Sequence, residues 1–266
     1  MDDSRNYPGM IVPVGHVEPS PRRVRGLVGG RCVFDTTDAK YVWAWPGYPQ
    51  YCIPLRDIAE GLLTDEGKTM PLGIGGGRRQ TLKVDGLTRS GAAWVWDDTA
   101  PEEIRGSAGF RWEAIDAWFE EDEQVFVHPR SPYTRVDALR SGRTVRIEVD
   151  GEVIADAPST VMVFETGLPT RYYLDRVHVD WNRMVPTATV TSCPYKGRTS
   201  GYWSVRTSSA VHSDLAWAYD FPTRQLSPIA GLVAFYNEHV DLFLDGERLP
   251  RPAEVNRAQW EKERRA

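Results

Sequence analysis

Residues 144–155, Thr-Val-Arg-Ile-Glu-Val-Asp-Gly-Glu-Val-Ile-Ala, decide the fold class. Thr144–Val149 reads as a strand, Asp150-Gly151 as a tight hairpin turn, and Val153–Ala155 as the returning strand. A second strand pair is expected over Val161–Glu165 and Arg171–Val179, split by Gly167 and Pro169. After Ser227 and Pro228, Ile229, Leu232, Val233 and Tyr236 recur at helical spacing and predict one short helix. Val240–Leu244 then returns to strand and ends at Asp245-Gly246.

The same order occurs earlier in the chain. At an offset of 121, Val24 falls on Val145, Gly30 on Gly151, Asp35 on Asp156, Val42 on Val163 and Tyr51 on Tyr172. At an offset of 117, Ala117 falls on Ala234, Phe119 on Tyr236 and Glu121 on Glu238, with Trp112, Ile115 and Trp118 as the matching helix. The expected fold is therefore mainly β: two tandem small antiparallel β-sheet domains, each with one short helix. The boundaries read as an N-terminal arm over 1–19, a first domain over 20–128, a linker over 129–142, a second domain over 143–252 and a charged tail over 253–266. The halves are expected to pack with pseudo-twofold symmetry in a monomer, or the chain to form a homodimer.

Composition bounds the function. Of 266 residues, 41% are hydrophobic and 26% charged, enough for a packed core and against wholesale disorder. The net charge of −5 argues against a nucleic-acid partner. No apolar run approaches the roughly 18 residues a membrane helix needs, so no membrane partner is expected. Residues 1–10 have no apolar stretch of the secretory kind, and three cysteines without a Cys-x-x-Cys pair exclude a disulfide scaffold, so a cytoplasmic location is expected. No metal and no cofactor are expected: paired thiolate ligands are missing, and the glycine run Gly73–Gly77 lacks the spacing and the Lys-Ser/Thr of a phosphate loop and reads as a flexible loop.

The second copy carries Thr191-Ser-Cys193-Pro194-Tyr195-Lys196-Gly197, which the first copy lacks. Pro194 extends the backbone at Cys193, Gly197 permits a tight turn, and Lys196 is positioned to favour a thiolate. Equally, a small buried cysteine beside a structural turn satisfies the pattern. On one strand, Arg176, His178 and Asp180 would share a face. Cys193, Lys196 and His178 are thus the candidate catalytic residues. Arg171, Tyr172, Tyr202, Trp203, Trp217 and Tyr219 are the candidate ligand-binding residues.

The succession Arg171-Tyr172-Tyr173, Cys193-Pro194-Tyr195-Lys196-Gly197, Tyr202-Trp203, Ala216-Trp217-x-Tyr219 and Ile229–Tyr236 resembles the bacterial domain of unknown function 427 family. The second copy matches over about 110 residues, and the first resembles a degenerate member without the cysteine motif. The resemblance implies a small β-tent or Mss4-like fold. It carries a nucleotidyltransferase-like label, for which this sequence has neither the Gly-Ser with paired aspartates nor a phosphate loop. Three functions stay open: an enzyme acting on a small molecule through Cys193, a binding module for a planar or anionic small-molecule ligand, and a structural platform.

Overall fold

A computed structural model describes residues 12–253, which divide after Ser131 into an N-terminal and a C-terminal unit. In the N-terminal unit a seven-stranded antiparallel sheet runs in the spatial order Val17–Pro19, Lys40–Val42, Gln50–Pro54, Ser107–Phe110, Leu87–Trp96, Gly76–Val84 and Leu63–Pro71. A four-stranded sheet orders Glu123–Val125, Ala117–Glu120, Val24–Val28 and Arg31–Thr36.

The C-terminal unit repeats this plan in its two main sheets and adds a two-stranded hairpin, Ser192–Cys193 with Gly197–Arg198. Its large sheet runs Val136–Ser141, Thr160–Glu165, Arg171–Leu174, Val233–Phe235, Val211–Ala218, Gly201–Arg206 and Met184–Pro186. Its small sheet runs Glu247–Arg248, Asp241–Leu244, Val145–Val149 and Glu152–Ala157. Tight turns close hairpins in both units, and Gly29-Gly30 and Asp150-Gly151 close the equivalent small-sheet pair. Asp85-Gly86, Asp150-Gly151 and Asp245-Gly246 all place both residues at positive φ, as the primed turns that match strand twist require.

Within each unit one core joins the two sheets. Val145, Ile147 and Leu242 of the small C-terminal sheet pack with Tyr172, Leu174, Ala216 and Phe235 of the large one. Side chains alternate across a strand, so Tyr173 and Trp217 point to the other face, into a second cluster closed by Leu226 and Ile229. The centre of the large sheet is thus buried on both faces.

That double burial explains where the sequence expectation fails. Ile229–Tyr236 is not one helix. A short 3₁₀ segment, Arg224–Ile229, ends at Ala230, Gly231 takes φ +73°, and Val233–Phe235 is a central strand. A strand covered on both faces is a continuous apolar run, which periodicity does not separate from a helix. In the N-terminal unit Trp112–Ala114 is likewise a 3₁₀ turn and Ala117–Glu120 a strand.

The offset of 117 is also corrected. Trp118 pairs with Gly26 and Leu242 with Ile147, and Gly26 and Ile147 are 121 apart, so Trp118 corresponds to Leu242 at an offset of 124. Val17–Pro19 and Val136–Ser141, expected in arm and linker, are edge strands of the two large sheets. Of the expected loop Gly73–Gly77, Gly76 and Gly77 open a strand. Nearly all of the expected tail, 254–266, lies outside the described residues. Among the described residues no helix is long and apolar enough to cross a membrane.

Candidate functional site

Cys193 sits on a two-stranded hairpin, Ser192–Cys193 against Gly197–Arg198, with Pro194, Tyr195 and Lys196 at the tip. Gly197 takes φ +96°, a conformation that favours glycine. The Thr191 backbone N–H donates to Thr199 Oγ1 at 2.9 Å, and the Thr199 N–H returns to the Thr191 carbonyl at 2.9 Å. From the loop Phe221–Thr223, Thr223 donates its N–H to the Lys196 carbonyl at 3.0 Å and its hydroxyl to the Tyr195 carbonyl at 2.5 Å. The tip is therefore fixed from both sides.

Lys196 is only 8% exposed and donates to the carboxylate of Glu165, itself 6% exposed. Its Nζ lies 3.8 Å from Cys193 Sγ. Burial opposes the Lys196 charge, but the facing Cys193 and Glu165 outweigh it and hold the ammonium well above its ordinary pKa. Burial pushes the half-buried Cys193 thiol up; Lys196 pulls it down and Glu165 pushes it up again, with a net rise. The net direction is away from the thiolate that a Lys-activated nucleophile requires.

A second charged group lies on the same face, linked through Trp217 and Tyr173. Arg171 makes a two-pronged ion pair with Glu238 and also donates to Asn237. Its guanidinium lies over Trp217, 5.7 Å from the ring centre, and over Tyr236 at 5.5 Å. Arg171 outweighs burial and holds the Glu238 carboxyl below its ordinary pKa. Trp217 Nε1 donates to the hydroxyl of Tyr173 at 3.2 Å, and burial pushes that hydroxyl up to about 12. Tyr219 is likewise raised, chiefly by burial. The Tyr202 hydroxyl bonds Tyr236 at 2.8 Å and Thr191 at 3.1 Å.

Of the residues expected from sequence, the structure brings Cys193 and Lys196 together. Arg171, Tyr202, Trp217 and Tyr219 lie on the same face of the large sheet or at its edge. Tyr172 and Trp203 do not join them: they pack on the opposite face, Trp203 beside Trp181 at 5.3 Å. His178 is on a 3₁₀ turn, Arg176–His178, and not on a strand shared with Asp180, which caps the next turn. Glu165, Tyr173, Tyr236 and Glu238 were absent from the expected set. A buried Lys or Arg needs an anionic partner, and that requirement was the one signal pointing to Glu165 and Glu238.

Constant offsets of 121 along the first strands place Ala44 where the C-terminal unit has Glu165, Gln50 where it has Arg171 and Cys52 where it has Tyr173. The equivalent hairpin tip carries Gly73 in place of a lysine. The N-terminal unit thus builds the same fold with neither charge of the Lys196–Glu165 pair.

The domain of unknown function (DUF427) family matches twice, over residues 16–121 and 137–246. The chain belongs to this family. Each match falls on one of the two structural repeats, so the chain is a tandem pair of family domains. No curated protein matches the chain.

Proposed function

We propose that this tandem DUF427 protein is a non-catalytic small-molecule-binding module, with a polar ligand site around Lys196, Glu165 and Arg171 of the C-terminal unit. One observation carries the reading: both members of the buried Lys196–Glu165 pair are missing from the N-terminal unit, whose sheets keep the same order. A buried ion pair is seldom more stabilising than apolar residues of similar size, so its presence in one unit only points to use and not to folding. The raised Cys193 thiol supports binding over covalent chemistry. The ligand class that suits the site is a small polar molecule with an aromatic ring. An anionic group on it would compete with Glu165 for Lys196, and the ring would stack beside Trp217.

A cysteine-dependent enzyme is the second reading, and it rests on the 3.8 Å between Lys196 Nζ and Cys193 Sγ. An anionic substrate that drew Glu165 away would leave an ammonium beside the thiol and lower its pKa. The test is differential retention. Purified protein is equilibrated with a bacterial small-molecule extract and separated by size, and the retained molecules are weighed. Wild type retains a compound that the Lys196→Met/Glu165→Leu variant does not, and the compound is released unchanged. Identical retention by both proteins, or release of a converted product, sinks the binding reading.

A further inference from the structure

Two consecutive 3₁₀ turns follow the strand Arg171–Leu174, Arg176–His178 and Trp181–Arg183, and an aspartate caps each. Asp175 accepts from the Val177 N–H and Asp180 from the Asn182 N–H, both at 3.1 Å. The Trp181 indole donates to the Arg176 carbonyl at 2.7 Å, which ties the second turn to the first. The turns are well anchored, yet Val177 stands 79% exposed and Trp181 38%. Apolar side chains held out in this way add little to the core.

Trp203 and Phe221 extend this surface. Trp181 meets the half-buried Trp203 edge to face at 5.3 Å, and the Arg176 guanidinium lies over Trp203 at 5.8 Å. Arg176 also pairs with Asp220 at 2.5 Å, and the next residue, Phe221, is 91% exposed. The Phe221 loop is fixed on both sides: Asp220 donates its N–H to Ser200 Oγ at 2.7 Å, and Thr223 holds the Cys193 hairpin tip. Contiguous exposed apolar side chains mark an interaction site.

The N-terminal unit shows that the fold does not need them. Its bridge Phe34–Ile58 matches Ala155–Val179 at an offset of 121, so Arg56 stands in the place of Val177 and Glu60 in that of Trp181. Gln80 pairs with Ala93 as Trp203 pairs with Ala216, and the register of the next strand equates Ala93 with Ala216, so Gln80 replaces Trp203. The same register carried past the strand sets Asp98 in the place of Phe221. Each of the four apolar residues is thus charged or polar in a unit whose sheets have the same order.

The charges around the patch select its occupant. Arg176 is paired with Asp220, and Arg183 with Glu152 and Asp180. Both signs are neutralised within the chain, whose net charge is −5. An anionic lipid surface or a nucleic acid requires free cations, and a charged peptide requires a free opposite charge. A second copy requires neither, because a two-fold interface joins one surface to itself and needs that surface to be self-complementary. Aromatic residues with an arginine are also the composition of interface cores. We infer that Val177, Trp181, Trp203 and Phe221 are the centre of a self-associating face through which two copies of the chain join. The inference does not rest on the ligand site at Lys196.

Sedimentation velocity of the full chain from about 1 to about 200 µM reads the association. The expected result is a monomer–dimer equilibrium with a Kd of about 10 µM. Val177→Arg and Phe221→Asp, each borrowing the residue of the other unit, should weaken it roughly tenfold or more. Both positions are largely exposed, so the fold is retained, which circular dichroism verifies. Leu139→Asp, at a 54% exposed position on the opposite edge of the large sheet, leaves the equilibrium unchanged. A chain that is monomeric throughout overturns the inference, and flotation of that monomer with phosphatidylcholine vesicles would give the face to a lipid surface. A dimer indifferent to both Val177→Arg and Phe221→Asp overturns it as well.

Discussion

Replacing Lys196 by Met removes one charge of a pair whose side chains are 10% and 8% exposed, and leaves Glu165 buried without its partner. Breaking a buried pair in this way costs about 3–5 kcal/mol. The N-terminal unit shows what happens when both partners go: its hairpin tip carries Gly73, Ala44 lies just past the strand Lys40–Val42, and the sheets keep their order. The double variant Lys196→Met/Glu165→Leu should therefore recover most of the loss, to within about 1–2 kcal/mol of wild type, with the remainder set by packing. The assay is urea unfolding of the four proteins of this cycle, followed by circular dichroism and tryptophan fluorescence, with the coupling energy taken from the cycle. A large favourable coupling is expected, with the double variant more stable than either single one. If Lys196→Met alone costs less than about 1 kcal/mol, the pair is effectively solvated. If the double variant loses the sum of the singles, the two charges are independent. Either result refutes the reasoning from the buried pair.

Cys193 should alkylate with iodoacetamide along a pH profile displaced above the ordinary thiol value of ~8.5, and Glu165→Gln should move that profile down, because the carboxylate is one of the groups raising it; peptide mass spectrometry separates it from the exposed Cys32. An unshifted profile in Glu165→Gln would remove Glu165 from the account of the thiol. Arg171→Met leaves Glu238 buried without its partner and should cost about 3–5 kcal/mol in urea unfolding. Because the folded Glu238 carboxyl is held below its ordinary value, its contribution is present above the unfolded pKa of ~4.3 and is lost as pH falls through the folded value; Glu238→Gln should flatten the acid limb of stability. At the surface, Asp150 is held down to about 2, chiefly by His212 and then by Thr207 and Ser209. Asp150→Asn keeps the turn and should abolish the stability change between the unfolded value of ~3.9 and about 2. Acid titration of Asp150→Asn that overlays wild type there would contradict that assignment.

The β class and the tandem repeat were legible in the sequence because hairpin chemistry is local: Asp150-Gly151 declares its turn without reference to the rest of the chain. The central strand Val233–Phe235 was not legible, since burial on both faces erases the two-residue alternation that marks a strand. The Cys193 hairpin was found from Pro194 and Gly197, but its partner Glu165 lies 31 residues from Lys196 and belongs to the strand Thr160–Glu165 of the large sheet. Sequence spacing carries no trace of such a pairing. Tyr172 and Trp203 failed to join the cluster for a simpler reason: they neighbour Tyr173 and Tyr202, and neighbours on a strand face opposite ways.

The central claim is that the polar site of the C-terminal unit binds a small molecule without bonding to it. The most direct measurement is the mass of the whole protein, loaded with the compound it retains, recorded first under native and then under denaturing conditions. The account predicts an added mass in the native spectrum that vanishes on denaturation and never appears in Lys196→Met/Glu165→Leu. An added mass that survives denaturation and maps to Cys193 would contradict it.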